Sequence, residues 1–512
     1  MRTRKWFALG IAAIVMIVSG CQTIGTVDMT KVIKQQMKVQ PQELAQSLSF
    51  KMNLSEKHKP ENKEAAEVLR WVSDIQVTAD TKAIDMFNTS VVGKWKAGGV
   101  ELPFKYAVQD GEQVIWVEGA KVPFAVEAEK LTREQLEMVQ ELTSKFYTLA
   151  ETTSDFVVKH APMPKVATAT AVSEKVAGET ISLNKVHIEL AGDELIGWTK
   201  GLLTSLLKDD EGLKAWLVEV GKIVAPTIKS IEDFAGEELN ASDPESKWLK
   251  DEQLFAAKVH KEIKDNRDEF LKEMEKGLDE MLKDTPEAKA IFGPNTKLIL
   301  DYYVDSQFKV RKMETKLHVQ LPISEEIPVD SFTIQLAQEY KNVTGPVNID
   351  KIDTKNAIRI SPGDTPSPGT ILRNFDSKSA VYHLLNKMDI TSKSVWLPLA
   401  AGQYDEWFAN EPAPFVEKGV SYVPLRKLSE ELDADFKWNA ANKQAVLIDD
   451  ITQTRIELKV GSKQAQVGTL TKTLSKAPFV KEGTLYVPLR EVAELLGAKA
   501  KVQEGYVVIE RP

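Results

Sequence analysis

Ala413-Pro414-Phe415-Val416 followed by Gly419 and Tyr422-Val423-Pro424-Leu425-Arg426 returns 64 residues later as Ala477-Pro478-Phe479-Val480, Gly483 and Tyr486-Val487-Pro488-Leu489-Arg490. Aligned without a gap, 413–438 and 477–502 share 14 of 26 positions. Chance does not supply that at a fixed spacing, so the C-terminal part is an internal duplication whose two copies bury one another's apolar faces. Each repeat is predicted to run as a strand, a Tyr-Val-Pro-Leu-Arg turn, a short helix (Leu428 to Leu432; Val492 to Leu496) and a closing strand (Ala445 to Ile448; Tyr506 to Ile509). Proline inside the repeated pentapeptide favours a sheet edge or a strand-to-helix junction, because it has no N–H for a ladder. Arg426 stands four residues before Glu430 and Arg490 four before Glu494, a spacing that allows one ion pair per repeat.

The pattern APFV, Gly, YVPLR, then Glu, Leu and Ala at helical spacing resembles the copper amine oxidase N-terminal-like domain, or stalk domain, over roughly 380–512. The resemblance implies a small α/β appendage found in many Gram-positive envelope proteins, with copper and the tyrosine-derived quinone residing in a separate catalytic domain. Gln403-Tyr404-Asp405 imitates the cofactor site but lacks the preceding asparagine. The second repeat departs from the first: Val502 stands where the first has Trp438, and three residues are missing before the last strand. Arg426 and Arg490, with Tyr422 and Tyr486, are the candidate site residues. Tying helix to strand is their structural reading and gripping an anionic wall polymer the functional one.

At the other end, Arg2, Arg4 and Lys5 precede the apolar run Trp6 to Val18, which is about half to two-thirds of a membrane-spanning helix and reads as a signal peptide. Val18-Ser19-Gly20-Cys21 resembles the lipobox of bacterial lipoproteins, making Cys21, the chain's single cysteine, the expected lipid attachment point. Cleavage there would take the formal charge from −9 to −12.

Residues 21–40 are expected to be a tether, 41–355 an α+β N-terminal domain, 356–375 a linker and 376–512 the duplicated module. The clearest linker is 361–370, with three prolines and two glycines. Strand-like stretches include Leu48 to Leu54, Val91 to Trp95, Phe104 to Val108, Val114 to Val117, Ile181 to Leu190, Lys297 to Val304, Phe308 to Leu321 and Ser331 to Leu336. Asp110-Gly111 reads as a hairpin turn, and the set looks antiparallel. Helices are expected after Thr132, at Asp193, near Asp210 and from Ser242-Asp243-Pro244, the last with an apolar stripe from Phe255 to Met281 that includes Met274. His160 to Gly178 reads as a mobile connector. The fold class is therefore α+β: a large antiparallel sheet with helices, then a small duplicated α/β module. On architecture alone the first part resembles half-barrel lipoproteins that shelter an acyl chain.

The composition is globular, with 66 basic and 75 acidic residues and 43% apolar, which argues against disorder and against a broadly basic nucleic-acid binder. His58, His160, His187, His260, His318 and His383 form no pair at metal-ligand spacing, with His187 and His260 placed at the surface. No P-loop, G-x-S-x-G or G-x-G-x-x-G occurs. Asp209-Asp210-Glu211 reads as a solvated helix start. The expected protein is a non-catalytic, lipid-anchored envelope protein without cofactor or metal. Its expected partners are the membrane and a wall polymer, and its alternative is a carrier of an apolar ligand.

Overall fold

The computed structural model describes residues 23–37, 42–55, 63–85, 87–127, 133–235, 248–322, 328–342, 345–361, 365–399, 412–503 and 505–512. They form two compact bodies, one reaching Ile115 and resuming over 127–352, the other combining Trp116–Val126 with 353–512. Sequence alone places 116–126 in the N-terminal domain; its strand partner, Ile358–Ile360, lies in the C-terminal body.

The N-terminal body contains strands β1 (Thr23–Ile24), β2 (Val27–Asp28), β3 (Gln42–Leu54), β4 (Asp74–Asp85), β5 (Asn88–Ala97), β6 (Val100–Gln109) and β7 (Glu112–Val117). After β8 (Phe124–Glu127), which belongs to the C-terminal body, it resumes with β9 (Val166–Val176), β10 (Glu179–Ala191), β11 (Lys297–Val304), β12 (Val310–Gln320) and β13 (Val329–Asn342). Its helices are α1 (Met29–Met37), α2 (Lys63–Val72), α3 (Arg133–His160), α4 (Gly192–Lys208), α5 (Asp210–Ala235), α6 (Glu252–Asp284) and α7 (Pro286–Ile291). The sheet order within the body is β7-β6-β5-β4-β3-β13-β12-β11-β10-β9, and from β6 to β9 every pairing is antiparallel. Asp110 and Gly111, with φ of 51° and 79°, make the tight hairpin turn that Asp-Gly announces.

Registers place apolar side chains on one face of this sheet. Across β6, β5, β4, β3 and β13, Leu102, Trp95, Val77, Leu48 and Leu336 form one row, and Phe104, Gly93, Ala79, Gln46 and Gln338 the next. Gly93 is the one residue that fits below Phe104: a Cβ there would lie 2.8 Å from the ring and 2.6 Å from the Thr78 carbonyl oxygen. At the β10–β11 end the same face is sealed by α1 and α4, where Met29, Val32, Trp198 and Leu202 pack on Val186, Ile188, Leu190, Leu298, Leu300 and Tyr302. Outside them, α3, α5 and α6 pack together through Phe156, Leu213, Leu217, Ala256 and Val259.

Several expectations change here. The tether is partly folded, because Ile24, Val27, Met29 and Val32 are buried in the core; nine residues of helix are too short for a clear period. The connector His160 to Gly178 contains strand β9, paired over its length with β10 through an Ala177-Gly178 turn. Its core-facing residues Ala167 and Ala169 are small, which mutes the alternation. Thr132 and Ser242-Asp243-Pro244 lie outside the described residues, and α6 as described starts at Glu252 with the Asp251 carboxylate accepting from the amides of Gln253 and Leu254. The α6 stripe is only half-buried, with Phe270 51% exposed. His260 is not exposed: its side chain is 16% accessible, 3.9 Å from Asp210.

The C-terminal body contains β14 (Ile358–Ile360), α8 (Pro368–Asn374), α9 (Ala380–Lys387), β15 (Lys393–Pro398), β16 (Phe415–Glu417), β17 (Val420–Pro424), α10 (Leu425–Glu431), β18 (Ala434–Asn439) and β19 (Gln444–Asp449). It continues with β20 (Arg455–Lys459), β21 (Gln464–Val467), β22 (Leu470–Thr473), β23 (Phe479–Lys481), β24 (Thr484–Pro488), α11 (Leu489–Leu495), β25 (Lys499–Gln503) and β26 (Tyr506–Arg511). Three small sheets, β15-β26-β25, β16-β17-β24-β23 and β18-β19-β20-β21-β22, surround one core. The proline-rich linker holds helix α8: Pro368 takes the first helical position, where its missing N–H costs nothing, and Ser367 caps the Thr370 amide. The repeat helices begin at Leu425 and Leu489, three residues earlier than the sequence predicts, so Tyr-Val-Pro ends a strand and Leu-Arg opens a helix.

Candidate functional site

The two repeats meet through their Tyr-Val-Pro strands. Tyr422 pairs with Pro488, Val423 with Val487 and Pro424 with Tyr486, so residues 64 apart exchange places about a local twofold between Val423 and Val487. Tyr422 and Tyr486 are buried beside it, packed with Phe415 and Phe479 at ring separations of 5.1–6.4 Å. Edge-to-face contacts dominate, each worth about 0.5–1.5 kcal/mol beyond area burial. Both tyrosines therefore serve the joint between repeats, and burial pushes their phenols above the ordinary range.

Arg426 and Arg490 are not equivalent. The expected partners are not used: no ion pair joins Arg426 to Glu430 or Arg490 to Glu494 among the described residues. Arg426 instead lies over the Phe436 ring, 4.7 Å from its centroid, where the twofold-related residue is Ala500. The arginine borders an open cleft of about 670 Å³ lined by Lys427, Glu430, Phe436, Trp438, Val480 and Leu485 among others. Neither Phe436 nor Trp438 belongs to the site residues that the sequence motif singles out. A signal exists all the same, since the repeats differ at both positions.

A buried ion pair closes the same body. Arg511, 4% exposed, donates to the Leu432 carbonyl at 2.7 Å and meets Asp449 at 3.3 Å. In the N-terminal body, His160 lies 2.8 Å from both the Ser205 hydroxyl and the Asp209 carboxylate. Those distances suit a hydrolytic triad, but Ser205 and Asp209 sit four apart at the end of α4, and Asp209 also accepts from Lys159 and the Gly212 amide. The cluster fastens the ends of α3, α4 and α5.

The apolar face of the large sheet is the other candidate. Beyond the helix-sealed end, Phe50, Met52, Ile75, Val77, Val91, Trp95, Leu102 and Phe104 are only half-buried, and Leu48 is 42% exposed. Between Leu44 and Leu54 on β3 and across the paired residues of β4, β5 and β6, this face bears no charged side chain. Its polar spot is self-satisfied, Gln46 bonding Thr81 at 2.8 Å and Gln338 bonding Gln46 at 3.3 Å. Strand β4, absent from the strands expected on sequence, supplies its centre.

No group of three metal-binding side chains occurs among the described residues, and His383 is the only histidine in 376–512. No described helix is long and apolar enough to cross a membrane. Cys21, His58 and Gln403-Tyr404-Asp405 lie outside the described residues.

Residues 395–509 thus form a duplicated α/β module with one shared core. Residues 405–510 match the family model of the copper amine oxidase N-terminal domain, a non-catalytic, stalk-like module. A Brevibacillus choshinensis protein named "Protease inhibitor" is 33% identical over 103 residues, 19% of this chain and 30% of that protein. The chain thus spans less than a third of that relative's length.

Proposed function

We propose that this chain is a lipid-anchored extracytoplasmic envelope protein whose N-terminal body holds an apolar acyl chain, and whose stalk-like module associates with the cell surface or wall. The observation that carries the acyl-chain reading is the uncharged, half-open apolar face spanning β6 to β13. A sugar or ion would find no partner there, whereas an acyl chain needs none. Burying sixteen carbons would gain on the order of 12 kcal/mol gross, at about 0.8 kcal/mol per methylene, enough to exceed the ordering cost of binding. The signal peptide and Cys21 supply the anchor. One residue separates Cys21 from β1, so a lipidated chain would hold its folded body within about 7 Å of the anchor point, at about 3.5 Å per residue. That closeness favours exchange of lipid with the membrane.

The test is organic extraction and mass spectrometry of the chain purified without detergent as the Cys21→Ser form, so that covalent lipid does not contribute. An acyl ligand near one equivalent is expected, lost in Leu48→Glu, whose exposed position spares the fold. Absence of both retained lipid and uptake of a fluorescent fatty acid would remove the carrier reading. After denaturing extraction has removed bound lipid, covalent palmitate label should remain on the wild type and be absent from Cys21→Ser.

A further inference from the structure

The cleft beside Arg426 differs from its twofold mate in a way the fold does not require. Both repeats bury the same core positions: Leu425 and Leu489, Leu428 and Val492, Leu432 and Leu496. Three of the twelve departures in the aligned repeats fall at the cleft on the first repeat, where Phe436, Trp438 and Lys427 correspond to Ala500, Val502 and Glu491. The second repeat folds without the two aromatic rings and with the reverse charge; Phe436 packs against the core as Ala500 does, but Trp438 is not part of that core, so packing alone does not call for a ring at its position.

Ala434, Phe436 and Trp438 alternate along one face of β18, from a buried root to Trp438, 40% exposed at the mouth. The Arg426 guanidinium, stacked on Phe436, makes no hydrogen bond or ion pair among the described residues. The cation–π contact keeps the guanidinium over the ring while its N–H groups stay available to an anion, and a guanidinium can bind a carboxylate through two of them. Glu430, exposed one helical turn away, is an acceptor for hydroxyl or amide N–H groups. A volume of about 670 Å³ lies within the range of ligand sites, about 300–1,000 Å³.

We propose that this cleft binds a carboxylated amino-sugar glycan: Trp438 and Phe436 stack on the apolar faces of the sugar rings, Arg426 holds a carboxylate, and Glu430 accepts from a hydroxyl or amide. The site gives the wall-association reading its ligand class and rests on that reading. Calorimetry of the full mature chain would use soluble strands of alternating N-acetylglucosamine and N-acetylmuramic acid, with neutral chito-oligosaccharides of equal length as the comparison. Trp438→Ala should weaken both by about tenfold or more. Arg426→Gln should weaken the acidic strand by about tenfold and the neutral one by less than about twofold. Arg490→Gln should change neither. Arg426 is exposed, so its variant is readable even where Trp438→Ala loses its fold. No binding of the acidic strand, equal binding of both sugars, or an acid preference that survives Arg426→Gln would overturn the proposal. Failure of the chain to sediment with insoluble walls would instead remove the wall-association reading, and soluble binding is blind to that.

Discussion

Asp209 shows how much one carboxylate can hold. It accepts from Lys159 at 2.8 Å, from the Gly212 amide at 2.9 Å and from His160 at 2.8 Å, and these donors, Lys159 first, keep its carboxyl well below the usual range. A depressed folded-state pKa contributes stability that is present above the unfolded value, about 3.9, and is lost as pH falls toward the folded one. The melting temperature of the chain should therefore drop as pH falls below about 4. Asp209→Asn should melt lower at neutral pH and show a shallower fall in acid; parallel slopes in the two proteins would exclude this role. In the sequence, Asp209 is one acid in an acidic helix start. Its partner His160 lies 49 residues earlier, at the end of another helix, and no local pattern announces the pair. Arg426 is the converse: the sequence singles it out, but its contact is an aromatic ring and not the carboxylate at helical spacing.

At the scale of elements, legibility in the sequence depends on how strongly each segment alternates. Strands β10 and β11, with large apolar residues on the core face, are legible, as is the Asp110-Gly111 turn, whose positive φ angles suit those residues. Strand β9 is hidden by small core-facing alanines and α1 by its brevity. Helix α1 nonetheless carries weight, since Met29 is fully buried in the core that also holds Trp198 and Leu202 of α4 and the apolar residues of β10 and β11. Met29→Ala should cost about 2–5 kcal/mol, the usual range for emptying a packed methionine site. Chemical denaturation would measure it. A change within experimental error would mean that this segment is the loose tether its composition suggests.

At the scale of the molecule, the C-terminal body recruits a segment from far upstream. Asn374, 5% exposed, exchanges hydrogen bonds with Val122 through its side chain, and Phe124 packs on Phe375 at 6.2 Å. The repeat core itself lies entirely within 395–509. The isolated fragment 353–512 should therefore melt cooperatively by circular dichroism, and a synthetic peptide of 116–126 should raise its midpoint. A non-cooperative melt would show that the repeats depend on the rest of the chain. The sequence alone determined the duplication, the α+β class, the antiparallel pairing and the module family, because each is written in local periodicity or in residues repeated at a fixed spacing. Tertiary structure alone decided that the equivalent Tyr-Val-Pro strands pair about a twofold, that Arg426 and Arg490 have different surroundings, and that one face of the large sheet is left half-open. These depend on which distant segments come to lie side by side, and a chain's local pattern fixes what each segment prefers to bury without fixing what arrives to bury it.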